Sequence, residues 1–482
     1  MKTINIRTGC PQQTIEGWGT SLCWWANAAG GWTMRGPSGR TRREELMQAI
    51  FSAQGLNFNI VRYNIGAGDN PAEERHMFHF RGMPCFQPQE GGAFDKTADQ
   101  RQVWVLRRAA QLRRGDLITE VFVNSPPWWM TNSQCSAGNL QACSENLSPL
   151  RYGEFIDYCV RVLDYLTGEC KLRVDYFSPM NEPASDYWAK GQRQEGNKVL
   201  PGAHQSLLLE TAHRKLQQRH PEIKIAGTDE TNPTVALESY QSLSEPVRQG
   251  VLRKINYHHY LEDDSALAAL CRIAYPNGFS NPRCRLWMDE VCYGEGEDGF
   301  GLAQRLSRAI HKDLNLAHAS AWVIWQAMDT LSDNIARHSH WGLIEGMYQD
   351  PLNNELAGTL DVSQMGYDLG DTIFTMQYYV MGHYSKYILP GYSILENDGD
   401  AFYCVAAVSP GGNTLVVILC NLQNAPQTLE LALGGFVPQT AEMIVSTNTA
   451  QWQGPSCRRG GSHRPNCSQA PSQRCGLHAE GR

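Results

Sequence analysis

Two glutamates occupy positions from which they could act as a pair. Glu182 closes the β-rich run Tyr176–Glu182 inside the triplet Asn181-Glu182-Pro183, and Glu290 follows Asp289 in the run Arg285–Val291. Two carboxyl groups facing each other about 5–5.5 Å apart can cleave a glycosidic bond with retention: one protonates the leaving oxygen while the other attacks the anomeric carbon. Electrostatics divides the roles. An ionised Glu290 disfavours a second negative charge beside it, so Glu182 keeps its proton until Glu290 is esterified, then ionises and activates water. One strand-terminal glutamate alone is a weak signal, because such carboxylates often only pair with Arg or Lys. Asn181 strengthens it, since an amide beside the acid can hydrogen-bond a sugar hydroxyl as charge develops in the transition state.

For these residues to meet, their strands must surround one centre. Eight β-rich runs alternate with longer helical stretches: Thr14–Gly19, Ile60–Gly66, Glu120–Ser125, Tyr176–Glu182, Lys224–Glu230, Ile255–Tyr260, Arg285–Val291 and Ser320–Gln326. The stretches between them, such as Tyr152–Thr167 and Gly301–Leu316, carry apolar residues at helical spacing. This alternation predicts a (β/α)8 TIM barrel of the α/β class, with its active site at the C-terminal ends of the strands. The glutamates then sit on the fourth and seventh strands, nearly opposite each other. The expected layout is residues 1–13 as an N-terminal strand joining a side β-sandwich, 14–386 as the barrel and 387–452 as the sandwich. The strand-like runs Ala401–Val408, Thr414–Leu422, Thr428–Leu433 and Ala441–Ser446, separated by Gly, Pro and Asn turns, build that sandwich. Residues 453–482, rich in Gly, Pro, Ser, Arg and Cys, are expected to be a disordered or aberrant tail without a strand.

Bulk properties narrow the class. With 42% hydrophobic and 19% charged residues, the 482-residue chain is an ordinary globular mix, long enough for a barrel and a companion domain. A net charge of -7 comes with no basic stripe for nucleic acid and no polybasic cluster for a membrane surface. No apolar run approaches the roughly 18 residues of a membrane span. The opening MKTINIRTGC lacks a secretory h-region, so the expectation is either a cytoplasmic protein or a mature, exported form. The 15 cysteines are scattered without a CxxC pair, which argues against a structural zinc site, and Cys135 and Cys143 could pair in an exported protein or stay free. His258-His259 lacks partners at ligand spacing, so no metal is expected, and retaining hydrolysis needs no cofactor. The 13 Trp and 19 Tyr offer flat faces for the C–H face of a sugar, although large barrels bury aromatics in any case. A phosphate-handling barrel would want a Gly-rich anion site after strands seven and eight, where Gly294-Glu295-Gly296-Glu297 would instead repel phosphate. Nothing in the sequence sets an oligomeric state.

Several segments together carry a family likeness. Gly17-Trp18-Gly19, Arg62-Tyr63-Asn64-Ile65, Asn124-Ser125-Pro126-Pro127-Trp128-Trp129-Met130-Thr131, Ser178-Pro179-Met180-Asn181-Glu182-Pro183, Trp287-Met288-Asp289-Glu290 and Trp322-Val323-Ile324-Trp325 resemble glycoside hydrolase family 30. These retaining barrels place the acid/base after an Asn on strand four, and the likeness covers about residues 1–450. It implies Glu182 as acid/base and Glu290 as nucleophile, with Arg62, Asp69, Trp128, Asn181, His258, Tyr260 and Trp325 lining the subsite of the sugar being cut. Each also has a plainer reading: Arg62 as a brace for the glutamates, Asp69 as a loop cap, Tyr260 as wall and Trp325 as core. Of the adjacent His258 and His259, only one can face the interior. Gly19–Ala26, Gln194-Glu195-Gly196-Asn197 and the loop Ser125–Asn146 most resemble enzymes acting on the β-1,6-linked galactan of arabinogalactan side chains. Other members cut xylan, β-1,6-glucan or a glycolipid's glucose. The competing expectation from another class is a carbohydrate-binding barrel that has lost catalysis, opposed by the presence of Glu182, Glu290 and Asn181.

Overall fold

Short strands of Ile, Val, Tyr and Trp, apolar on both faces, need cover on both faces, and a closed parallel barrel wrapped by helices supplies it. The computed structural model describes residues 2–73, 77, 81–294, 299–331, 340–348, 366–399, 403–423, 425, 427–447, 451–452 and 474–481. After β1 (Lys2–Thr14), eight strands form the barrel: β2 (Gly17–Ser21), β3 (Ile60–Asn64), β4 (Ile118–Phe122), β5 (Tyr176–Ser178), β6 (Lys224–Glu230), β7 (Leu252–His258), β8 (Arg285–Glu290) and β9 (Ala321–Ile324). Each pairs in parallel with the next, and β9 closes on β2 through Gly17–Thr20 and Ala321–Ile324. All eight sequence-predicted strands are present. The first begins later than expected because Thr14 belongs to β1, which pairs with Ser393 instead.

The connecting helices follow their apolar spacing. In Tyr152–Asp164, Phe155, Ile156, Cys159, Val162 and Leu163 are buried on one stripe. Helix Asp264–Ala274 begins where the Asp263 carboxylate accepts the backbone N–H groups of Ser265 and Ala266, both at 3.0 Å. Beyond β9, three short strands not foreseen in the sequence, β10 (Met328–Thr330), β11 (Ile344–Gly346) and β12 (Thr372–Phe374), form a small mixed sheet over the barrel mouth. No helix among the described residues is long and apolar enough to cross a membrane.

The C-terminal region adds β13 (Ser393–Asn397), β14 (Cys404–Val408), β15 (Thr414–Cys420), β16 (Leu429–Ala432), β17 (Pro438–Ser446) and β18 (Arg474–Gly481). With β1 they make a mostly antiparallel sheet ordered β16-β1-β13-β14-β15-β18-β17. Its hydrogen bonding runs continuously through β1, whose register breaks between Ile6 and Pro11 and again before Thr14. Ile4, Ile6, Leu395, Leu415 and Val417 form its core. The tail departs from expectation: residues 474–481 supply a strand, inserted between β15 and β17 with an unbroken ladder to β15. Residues 453–473 and 401–402, within segments read from the sequence, lie outside the described residues. His383 Nε2 lies 2.8 Å from Ser446 Oγ, tying the last barrel helix to the sheet.

Candidate active site

Two β-bulges shape the centre of the barrel mouth. Along β6 and β7, Thr228 pairs with Asn256 but Glu230 pairs with Tyr257, leaving Asp229 as an extra residue. Along β7 and β8, Tyr257 pairs with Met288 but His258 pairs with Glu290, leaving Asp289 as another. A bulge re-aims side chains that strict alternation would send outward. Both aspartates therefore reach Arg62 on β3, whose guanidinium is fully buried. Arg62 Nη2 is 2.8 Å from Asp229 Oδ1, Nη1 donates to Glu290 Oε2 at 2.9 Å, and Nε donates to Glu120 Oε1 at 3.0 Å. Lys254 pairs with the other oxygen of Glu120 and lies 3.4 Å over the Trp287 ring.

The two glutamates meet above this network. His258 Nδ1 lies 2.9 Å from Glu182 Oε1 and 3.6 Å from Glu290 Oε1, and its Nε2 lies 3.2 Å from Asp229 Oδ1. One oxygen of Glu182, one of Glu290 and a ring nitrogen of His258 all fall within 4.8 Å of one another. The Tyr260 hydroxyl donates to Glu290 Oε1 at 3.2 Å, and the Tyr187 hydroxyl donates to Glu182 Oε2. Glu182 has φ 47° and Asp229 φ 64°, left-handed conformations that cost a non-glycine residue on the order of 1–3 kcal/mol. The strained pair is held by a 2.7 Å hydrogen bond from the Glu182 N–H to the Asp229 carbonyl.

Burial and charge set the protonation. Burial alone would lower the pKa of His258, but Glu290, Asp229 and Glu182 outweigh it and hold the imidazole well above its usual range. In that charge state both ring nitrogens donate, and His258 bridges Glu182 and Asp229 as a charged hydrogen-bond donor. Burial raises Asp289 far above the usual carboxylate range despite Arg62. Asp229 is equally buried, yet Arg62 and His258 hold it low. Burial also raises Glu290, against the pull of His258 and Arg62, with Glu182 adding to the rise.

Above the network opens a cavity of about 390 Å³ lined by Glu182 and Glu290 together with Asn181, Tyr260 and Trp325. The other expected subsite residues sit elsewhere. Arg62 and His258 are fully buried beneath the floor, where they brace the glutamates rather than line the cavity. Asp69 and Trp128 lie outside the lining. The Asp69 carboxylate accepts the N–H of Asn70 at 3.0 Å, and the Trp128 indole, in the turn after β4, donates to the Pro88 carbonyl at 3.0 Å. His259 points away, with Nδ1 2.8 Å from Asp313 Oδ1. Cys135 is buried and Cys143 exposed, and Glu295–Glu297 lie outside the described residues.

Sequence reasoning missed much of the wall. Trp24 stands edge-on to Trp325 at 5.1 Å, and Trp188, Tyr187, Glu195, Cys292 and Trp341 also line the cavity. Trp24 and Glu195 lie in segments singled out in the sequence. Trp341 reaches the cavity from the loop between β10 and β11, where Gly294 leaves space for its ring.

Comparison with known proteins follows this geometry. The family model described as O-glycosyl hydrolase family 30 matches residues 1–270, more than half of the chain. The chain belongs to O-glycosyl hydrolase family 30. This family-30 glycosidase is 26% identical over 455 residues to the endo-β-1,6-galactanase of Hypocrea rufa, covering 89% of this chain and 83% of that protein. It is 23% identical to the exo-β-1,6-galactobiohydrolase of Bifidobacterium longum subsp. longum, over 91% of this chain but only 36% of that longer protein. Among solved structures, the catalytic domain of the GH30 xylanase C from Talaromyces cellulolyticus superposes with a TM-score of 0.69 at 15% identity, with 100% of each chain covered. At that identity the likeness speaks for the fold alone.

Proposed function

We propose that this glycosidase hydrolyses β-1,6-galactosidic linkages in galactan or arabinogalactan side chains by double displacement, with Glu290 as nucleophile and Glu182 as acid/base. The observation that carries the mechanism is the approach of Glu182 and Glu290 to within 4.8 Å between carboxylate oxygens. That approach suits retention, which takes about 5–5.5 Å between carboxyl groups, and not the about 6.5–9.5 Å of inverting enzymes. A Glu290 oxygen attacks the anomeric carbon as the bond to the leaving oxygen breaks, and the Glu182 proton passes to that oxygen. Water then attacks the same carbon, gives a proton to Glu182 and displaces Glu290. Arg62 and Tyr260 hold Glu290 by one hydrogen bond on each oxygen. Asn181, whose Oδ1 is 3.4 Å from Arg62 Nη2, lines the cavity beside the acid, where its amide can meet a sugar hydroxyl.

The galactan assignment is supported by the two relatives named for β-1,6-galactan. Product analysis on β-1,6-galactan, arabinogalactan protein, glucuronoxylan and β-1,6-glucan tests it. Galactose or short β-1,6-galacto-oligosaccharides are the expected products, and a size ladder against a single released disaccharide distinguishes internal from terminal attack. Xylo-oligosaccharides or gluco-oligosaccharides alone would refute the substrate and spare the mechanism. A protein that binds one polymer and releases nothing would be the non-catalytic barrel. Glu290→Gln should abolish turnover while the circular dichroism of the folded protein is unchanged.

A further inference from the structure

A third carboxyl lines the cavity, and the double displacement uses it for nothing. Glu195 is only 2% exposed yet forms part of the same wall as Glu182 and Glu290. Its Oε1 accepts two backbone N–H groups, from Ala67 at 3.2 Å and Met83 at 3.0 Å. Its Oε2 is buried with no hydrogen-bond partner among the described residues. The backbone behind it is fixed. The Gly196 N–H donates to the Ser136 carbonyl at 2.9 Å, and a Cβ at Gly196 would stand 1.9 Å from the Trp188 ring. Only glycine lets this segment press onto that indole, whose N–H in turn donates to the Glu182 carbonyl at 3.0 Å. The Glu195 carboxyl is thus registered against the acid/base by rigid parts. An unpaired buried polar atom is costly, and native proteins rarely keep one without a use.

We propose that Glu195 is a specificity-determining residue whose free Oε2 hydrogen-bonds a ring hydroxyl of the sugar held between Glu182 and Glu290. The proposal rests on the cavity being a glycan subsite, as set out above. Burial holds the Glu195 pKa well above the usual carboxylate range, and the two N–H donors, which pull it down, do not overcome that. Oε1 takes both N–H bonds, which leaves Oε2 as the oxygen available to a sugar hydroxyl.

The test compares kcat/KM of wild type, Glu195→Gln and Glu195→Leu on an aryl β-1,6-galactobioside and its monodeoxy analogues. In the analogues, the sugar next to the aryl group lacks each free ring hydroxyl in turn. Glutamine keeps the Oε1 acceptor and a donor at the free position; leucine keeps neither. Glu195→Leu should lose about 10- to 100-fold on the parent substrate, the loss of one buried hydrogen bond. It should lose almost nothing more on one particular deoxy analogue, the one on which wild type loses a similar factor. Glu195→Gln should fall between the two. If leucine prevents folding, the ratio of parent to that analogue must still drop below the wild-type ratio in Glu195→Gln. An equal loss on every analogue would mark a merely structural role and overturn the proposal, as would an unchanged parent rate. A wild type that hydrolyses none of the four polysaccharides overturns the functional reading itself, a separate failure.

Discussion

Replacing Tyr260 by Phe removes one hydroxyl and little else. That hydroxyl donates to Glu290 Oε1 at 3.2 Å, and the ring borders the open cavity, so its loss strands no buried donor. A hydrogen bond to a charged group contributes about 1.5–3 kcal/mol. At 3.2 Å, beyond the usual reach of an O–H···O bond, the lower figure applies, and about 1.5 kcal/mol corresponds to about one pKa unit. The donor favours the ionised form. Without it the pKa of Glu290, already raised by burial against His258 and Arg62, rises further. On the proposed mechanism the acid limb of the kcat/KM profile reports ionisation of the coupled glutamate pair in the free enzyme. In Tyr260→Phe that limb should move up by about one pH unit, and activity on its acid side should fall about tenfold, with a smaller change at the optimum. Initial rates from about pH 3 to 8 on an activated glycoside measure it. A limb that stays within about 0.3 unit of wild type, or moves to lower pH, would refute the assignment of Glu290 and its hydroxyl partner.

Glu182→Ala should lose nearly all activity on polysaccharide yet retain substantial activity on aryl glycosides with good leaving groups, which need no proton; steady-state kinetics on a leaving-group series checks this. Arg62→Met leaves Glu120, Asp229 and Glu290 without their guanidinium, and denaturant unfolding should show a loss of about 3–5 kcal/mol. Gly196→Ala forces the Trp188 ring aside, costing about 1–3 kcal/mol by overpacking and lowering the melting temperature, with kcat falling as the Trp188 bond to the Glu182 carbonyl shifts.

What the sequence revealed and what it concealed have a common physical origin. Glu182 and Glu290 were legible because each sits near the end of a β-rich run, and barrel closure brings such ends together. Asn181 and Tyr260 were legible for the same reason. Asp229 and Asp289 were not, because each is the surplus residue of a bulge, and a bulge leaves no mark in a period-two pattern. Tyr187, Trp188 and Glu195 belong to the loop after β5, whose path depends on packing such as Gly196 against Trp188 rather than on local propensity. The likeness that proposed Arg62 and His258 for the subsite named residues essential to its geometry but one layer too low. Asp69 and Trp128 fall outside the cavity lining, in loops where the Asp69 carboxylate accepts the Asn70 N–H and the Trp128 indole donates to the Pro88 carbonyl. The strand at 474–481 was hidden because its alternation of Cys475, Leu477 and Ala479 is short and follows a Gly-, Pro- and Ser-rich stretch, and its pairing with β15 and β17 is long-range.

On the proposed mechanism, the same network lets a buried carboxyl pair exchange roles at little electrostatic cost. Arg62, Lys254 and protonated His258 bring three positive charges to the barrel centre, and Glu120 and Asp229 answer two of them. Burial pushes Asp289 far above the usual carboxylate range. One negative charge shared by the Glu182–Glu290 pair is the state the first step of the proposed mechanism needs. In that mechanism Glu290 loses that charge when it becomes an ester, and in the same step Glu182 gives up its proton and acquires it. The charge moves a few ångströms, from the side of Arg62 toward the side of His258, whose Nδ1 lies 2.9 Å from Glu182. Burying a net charge is expensive, whereas relocating one between two sites already faced by cations is not. On the proposed mechanism, a cationic His258 spanning both carboxyls is what lets attack on the anomeric carbon and proton delivery belong to one step.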